Sequence, residues 1–130
     1  MYFMLVKSRI KNYIISLIAT LVLLRIFLFL SPSTNLNIGK YNIHHLFVGA
    51  FLSIIILILL ILSIVNNFIV VLAGISSALV LDEIVYLIAT DGSDTSYLTA
   101  ASLWGAIILT IIIVLLTFIL YNTNKQKVRE

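Results

Sequence analysis

Four long apolar runs, at residues 13–30, 46–65, 68–89 and 100–121, leave this chain little choice of fold. Each has about 20 residues, the length a helix needs to cross roughly 30 Å of hydrocarbon. Lipid offers no water to backbone N–H and C=O groups, so each run must satisfy its own, and that selects helix. The Ile and Val content would favour strands in water, but length and continuity decide against them. Composition agrees, with 62% hydrophobic and 10% charged residues, against about half and about a quarter in soluble chains. A globule of 130 residues cannot bury so much apolar surface. The expected fold class is therefore all-α, a four-helix transmembrane bundle forming one integral membrane domain over residues 1–130, with the lipid bilayer as its first partner.

The connections support that division. Residues 31–42 are polar and hold the single proline, Pro32, which ends the first helix, and Asn42 is placed to cap the second. Asn66-Asn67 reads as a two-residue turn that makes helices two and three antiparallel neighbours. Residues 91–96, Asp-Gly-Ser-Asp-Thr-Ser, form a turn cluster before helix four. A Ca²⁺ loop would need different spacing and a terminal Glu, so a capped turn is the expectation there.

Charge sets the orientation. Lys7, Arg9 and Lys11 precede helix one, and Lys125, Lys127 and Arg129 follow helix four; the opposite loops set Lys40 against Asp91 and Asp94. With an even number of spans both basic ends share one side, which the positive-inside rule makes cytoplasmic. The expected location is the cell membrane, multi-pass. Arg25 within the first run, and no small-residue cleavage site after it, make that run a span and not a removed leader. With six of the eight bases clustered near the two termini, no basic stripe exists for nucleic acid. Without cysteine there is neither a disulfide nor a thiolate site.

This topology gathers the ionisable residues into one layer. Arg25 lies five residues before the outer end of helix one, about 8 Å down, and Asp82 seven before that of helix three, about 10 Å down. His44 and His45 open helix two at the outer interface, with Asp91, Asp94 and Tyr97 in the loop above. Ionisable groups at such depth cost about 2.5–3.5 kcal/mol each, so they face the bundle and pair.

Helical phase sharpens the picture. Gly74, Ala78, Asp82 and Tyr86 share one ridge, and Glu83 points about 100° away on the side of Ser76. Both acids avoid lipid only if helix three is central or completes its burial in an oligomer. His45, Gly49 and Ser53 form the inward ridge of helix two, leaving His44 interfacial, and Ala101 and Gly105 are the small pair of helix four. Tyr41, Tyr97 and Trp104 read as interface aromatics. Counting outward from the Asn66-Asn67 turn, His45 stands roughly 9 Å above Asp82. The expectation is a ladder from His45 through Tyr86 to Asp82.

Two accounts of the layer compete. In the plainer one Arg25 simply neutralises Asp82 or Glu83 and fixes helix one to helix three. One arginine does not account for two acids and two histidines, however, so the set Arg25, His44, His45, Asp82, Glu83, Tyr86, Asp91 and Tyr97 is the candidate polar cluster. His45, Asp82 and Glu83 are the candidate ligands for a divalent metal, since imidazole and carboxylate suit Zn²⁺, Fe or Mn. Their spacing does not by itself specify an ion. No serine sits in a nucleophile-elbow context.

Residues 43–49 (Ile-His-His-Leu-Phe-Val-Gly), the stretch 74–83 ending Leu-Asp-Glu, Asp91 and Tyr97 together resemble a family of small bacterial and archaeal integral membrane proteins. Its members carry a His-His…Gly motif opening one helix, a Leu-Asp-Glu motif late in the next, and an acidic loop followed by a Tyr. The resemblance covers about residues 40–105 and implies a shared site at these positions without naming a reaction. Members often carry a Trp after the loop Tyr, where this chain has Leu98.

The leading functional expectation is a membrane component whose outer-leaflet cluster binds an ion, a small ligand or a partner protein, alone or within a homo-oligomer or larger membrane complex. The alternative is a metal-dependent membrane enzyme acting on a lipid or lipid-linked substrate. A transporter comes third.

Overall fold

A computed structural model describes residues 2–31, 37–38 and 41–127, without the side chains of 2, 3, 37, 38, 41, 42, 94, 95 and 127. The roles expected of Pro32, Lys40 and Arg129, and of the Tyr41, Asp94 and Lys127 side chains, fall outside what is described. The chain runs α1 (Tyr2–Leu30), β1 (Asn37–Ile38), β2 (Tyr41–Asn42), α2 (His45–Ile61), α3 (Asn67–Ala89), α4 (Asp94–Tyr97) and α5 (Ala100–Lys127). The fold is all-α, built on four principal helices. β1 and β2 form only a two-residue antiparallel pair, Asn37 opposite Asn42 and Ile38 opposite Tyr41.

Three of the helices, Met4–Leu30, Asn67–Ala89 and Ala100–Gln126, are long and apolar enough to cross a membrane. α2, at 17 residues, spans about 26 Å, a little short of the hydrocarbon thickness. α1 begins at Tyr2 and not near residue 13, because hydrocarbon limits an apolar run but not a helix. Lys7, Arg9 and Lys11 continue the same helix beyond it.

α2 ends four residues before the apolar run does. Ser63 adopts a left-handed backbone, φ 59°. The N–H of Ser63 donates to Leu60 O and that of Ile64 to Leu59 O, both at 2.9 Å, the paired bonds of a Schellman motif with Ser63 where glycine is usual. The connection therefore spans residues 62–66 and is longer than an Asn66-Asn67 turn. Asn66 caps α3 by accepting from the Ile69 N–H at 3.0 Å. At the other end of α2, His44 and not Asn42 is the N-cap residue.

α3 is the central helix, packed against α1, α2 and α5. Leu17, Leu21, Ala78 and Ala106 form the buried core, flanked by Tyr13, Leu81 and Ile113. α1 meets α3 at Gly74, where an added Cβ would lie 2.5 Å from Tyr13 O and 2.9 Å from Leu17 N. α2 meets α3 at Gly49, whose carbonyl accepts from Ser76 Oγ at 2.8 Å, and Ser53 Oγ lies 2.5 Å from the same hydroxyl. The expected ridge of α2 thus faces inward. α5 corrects its expectation: Ala101 is exposed, and the inward row is Ser102, Ala106 and Thr110, with Gly105 against Val85. Arg9, at the far end of α1, donates to Val65 O at 3.3 Å and so touches the α2–α3 connection.

Candidate functional site

The site forms where α1, α2, α3 and the α4 turn meet, at the end away from Arg9. Asp82, fully buried on α3, is its centre. Arg25 reaches it from α1, with Nε 2.5 Å from Oδ1. The remaining guanidinium donors reach Asp82 O and Tyr97 O at 3.1 Å and Ser102 at Oγ (3.1 Å) and O (3.3 Å). Its Cζ lies 4.3 Å from the Tyr97 ring centroid, a cation–π contact. One side chain thus ties α1 to α3, α4 and α5, with each of its three nitrogens donating.

The second oxygen of Asp82 accepts from the Tyr97 hydroxyl and faces His45 Nε2 at 3.1 Å. Burial and the neighbouring Asp82 carboxylate push the Tyr97 hydroxyl's pKa upward, so it stays protonated and donates. One residue on, Glu83 turns toward α2. Its Oε1 pairs with His44 Nδ1, and its Oε2 accepts from the Leu46 N–H at 2.7 Å and lies 3.3 Å from His45 Nδ1. His44 makes no side-chain cap of its own. Glu83 supplies that cap from the neighbouring helix, placing a carboxylate at the positive end of α2.

A continuous chain results, Arg25–Asp82–His45–Glu83–His44, buried at the arginine end and a fifth to a quarter exposed at the two imidazoles, 21% for His45 and 25% for His44. Arg25 offsets one carboxylate, and the imidazoles face the other. Beneath the chain lie Leu17, Leu21, Ala78 and Ala106, with the Tyr13–Ser77 and Ser53–Ser76 hydroxyl pairs and the buried Thr110 hydroxyl deeper in the bundle.

The Tyr86 ladder is not what forms. His45 meets Asp82 directly, because α2 ends at Ile61 and not at the Asn66-Asn67 turn. His45 is then 16 residues above the foot of its helix and Asp82 15 above the foot of α3, so the two are level. Tyr86 donates instead to Gly92 O at 2.5 Å and packs its ring 5.3 Å from Tyr97 and 6.1 Å from His44. His44, expected at the interface, joins the chain through Glu83. Tyr97, expected as an interface aromatic, is buried within it, whereas Trp104 is exposed.

Asp91 stands apart. It is exposed, and its Oδ1 closes the loop by accepting from Ser93 N–H at 3.1 Å, Ser93 Oγ at 2.8 Å and Ser96 Oγ at 2.5 Å. Those bonds, Ser96's first, lower its pKa from 3.8 to about 2. A depressed carboxylate pKa stabilises the loop fully above pH 3.8 and loses that contribution as pH falls toward about 2. Amide exchange at Ser93 and Ser96 is expected to accelerate over that interval, and Asp91→Asn to abolish the pH dependence.

The candidate metal ligands do come together, but as proton donors and acceptors for one another. Among the described residues no three His, Cys, Asp or Glu side chains are placed to hold a metal ion. Both Asp82 oxygens are turned to Arg25, Tyr97 and His45, and both Glu83 oxygens to α2. Sequence reasoning missed Ser102, fully buried against Arg25, although its i, i+4 phase with Ala106 and Thr110 could have marked it. It also missed the Leu46 N–H, which no side-chain pattern reveals.

No protein-family model, curated protein or solved structure matches the chain. The likeness carried by the His-His…Gly and Leu-Asp-Glu motifs therefore remains a resemblance, and the geometry has to carry the functional reading.

Proposed function

We propose that this is a multi-pass protein of the cell membrane, with both ends cytoplasmic, whose outer-leaflet cluster recognises a polar ligand: an ion, a small molecule or a polar segment of a partner. The observation that carries the reading is the unequal exposure along one chain of paired charges, with Asp82 and Glu83 at 0% and 3% and the His45 and His44 side chains at 21% and 25%. Arg25 and Asp82 are locked within the bundle, while His44 and His45 emerge at its surface. A cluster needed only to join helices would be complete with Arg25, Asp82, Tyr97 and Ser102. Glu83 and two imidazoles add to it a face that opens outward.

Mass spectrometry of the protein released from native membranes tests this. Wild type should carry a stoichiometric adduct, and the His44→Gln/His45→Gln double variant should lose it while keeping its helical circular dichroism. A wild-type protein that is folded and bare would sink the reading. Elemental analysis of the same sample covers the metal-enzyme alternative, which a stoichiometric divalent ion would restore.

The orientation is tested separately. A cysteine replacing Ser93 should react with an impermeant reagent on intact cells, and one replacing Asn124 should react only after lysis. The reverse pattern would put the cluster on the cytoplasmic side.

A further inference from the structure

His44 and His45 are adjacent in sequence and unlike in their bonding. His45 has carboxylate oxygens beside both ring nitrogens, Asp82 at Nε2 and Glu83 at Nδ1. His44 has one nitrogen committed, Nδ1 to Glu83. Its Nε2 has no partner among the described residues, and Thr110 Oγ1 is the single buried side-chain nitrogen or oxygen there left unpartnered. The free nitrogen of His44 is therefore open to the surface.

A carboxylate at Nδ1 determines what Nε2 is. The neutral ring keeps its proton on Nδ1, where Glu83 accepts it, and presents a bare lone pair at Nε2. Glu83 is itself fixed by the Leu46 N–H at 2.7 Å, so the ring is held by the backbone of α2 and not by a mobile side chain. The surroundings favour a cation. Asp91 in the adjoining loop stays ionised at neutral pH. Arg25 is spent on Asp82, Tyr97 and Ser102. Aromatic rings flank the imidazole, with Tyr86 at 6.1 Å and the exposed Phe47 at 6.4 Å between centroids.

We infer that His44 Nε2 is the contact atom for a protonated primary amine, bound at the outer end of α2 beside the exposed Phe47 ring. The inference rests on the ligand-binding reading above and names the ligand's chemistry. A primary ammonium donates a hydrogen bond to the lone pair and sets its charge near the exposed Phe47 ring and the ionised Asp91 loop. A fully methylated ammonium carries the same charge and has no proton to donate. The amine can belong to a phosphatidylethanolamine headgroup or to a free ligand, and the two sources are separable.

The test uses the full chain, ¹⁵N-labelled at histidine and tyrosine, in phosphatidylcholine nanodiscs at neutral pH. His44 should show a protonated Nδ1 and a bare Nε2. Ethanolammonium chloride should shift His44 Nε2, while tetramethylammonium chloride at the same concentration should not. In His44→Gln, ethanolammonium half-saturation, read on the Tyr86 signals, should rise about tenfold, the effect of losing one charge-assisted hydrogen bond. Nanodiscs containing phosphatidylethanolamine that produce the shift unaided identify the headgroup as the source; a response to the soluble amine alone identifies a free ligand. Two results overturn the inference: a His44 proton on Nε2, or equal responses to the two ammonium ions. In the second case the adduct measured by mass spectrometry still decides whether a ligand of other chemistry occupies the site.

Discussion

Arg25→Leu is expected to cost about 3–5 kcal/mol of folding stability, as does the loss of one partner from a buried ion pair. The loss is large because the guanidinium is not merely the counter-ion of Asp82. It also satisfies Asp82 O, Tyr97 O and both oxygens of Ser102. Leucine leaves the buried Asp82 carboxylate without its counter-ion and removes the guanidinium donor from the Tyr97 carbonyl, while Asp82 O and Ser102 O keep their helical N–H partners. Arg25→Leu/Asp82→Asn should recover about half of the loss, because the stranded charge is gone while the bonds to Tyr97 and Ser102 are not restored. Denaturation in detergent micelles of the wild type, the single and the double variant measures both steps. A double variant no more stable than the single one would show that the Asp82 carboxylate is not the partner that matters.

The second large effect is steric. Gly74→Ala is expected to destabilise by about 2–3 kcal/mol, because the new methyl meets backbone of α1, Tyr13 O at 2.5 Å and Leu17 N at 2.9 Å. A side chain could rotate away; a helix backbone must move as a whole. Gly92→Ala is the contrasting case. Its φ of 73° disfavours alanine by about 1 kcal/mol, but nothing lies within 4 Å of the added atom. The same micelle denaturation ranks them, and a Gly92 variant as damaged as the Gly74 one would refute the close α1–α3 contact.

What the sequence reveals and what it hides both follow from physical scale. The four helices are legible because each carries an apolar run of about 20 residues. Helix one to four alternation then puts Arg25, Asp82, Glu83 and the two histidines in one layer before any contact is known. Central α3 follows as well, since adjacent Asp82 and Glu83 can both avoid lipid only on a helix covered from several sides. The end of α2 is hidden because Leu62, Ser63, Ile64 and Val65 continue its apolar run, and only the left-handed backbone at Ser63 stops the helix. That error of a few residues raised His45 by more than a helical turn and called up Tyr86 as a bridge where none is needed. The burial of Tyr97, a residue of the expected cluster, and the part played by Ser102 are hidden for another reason. Their burial is decided by how the α4 turn folds under itself and by which face of α5 meets Arg25, and neither leaves a periodic trace in so uniformly apolar a chain.

The borrowed cap on α2 also bears on the order of events during synthesis. The Leu46 N–H receives its carboxylate from a residue 37 positions later. At typical elongation rates that interval is roughly two to seven seconds. Until Glu83 has been made, the first turn of α2 lacks the anion at its positive end, and His44 has no carboxylate to orient it. α2 therefore completes its first turn only once α3 has packed against it, and the site comes into being when that hairpin closes.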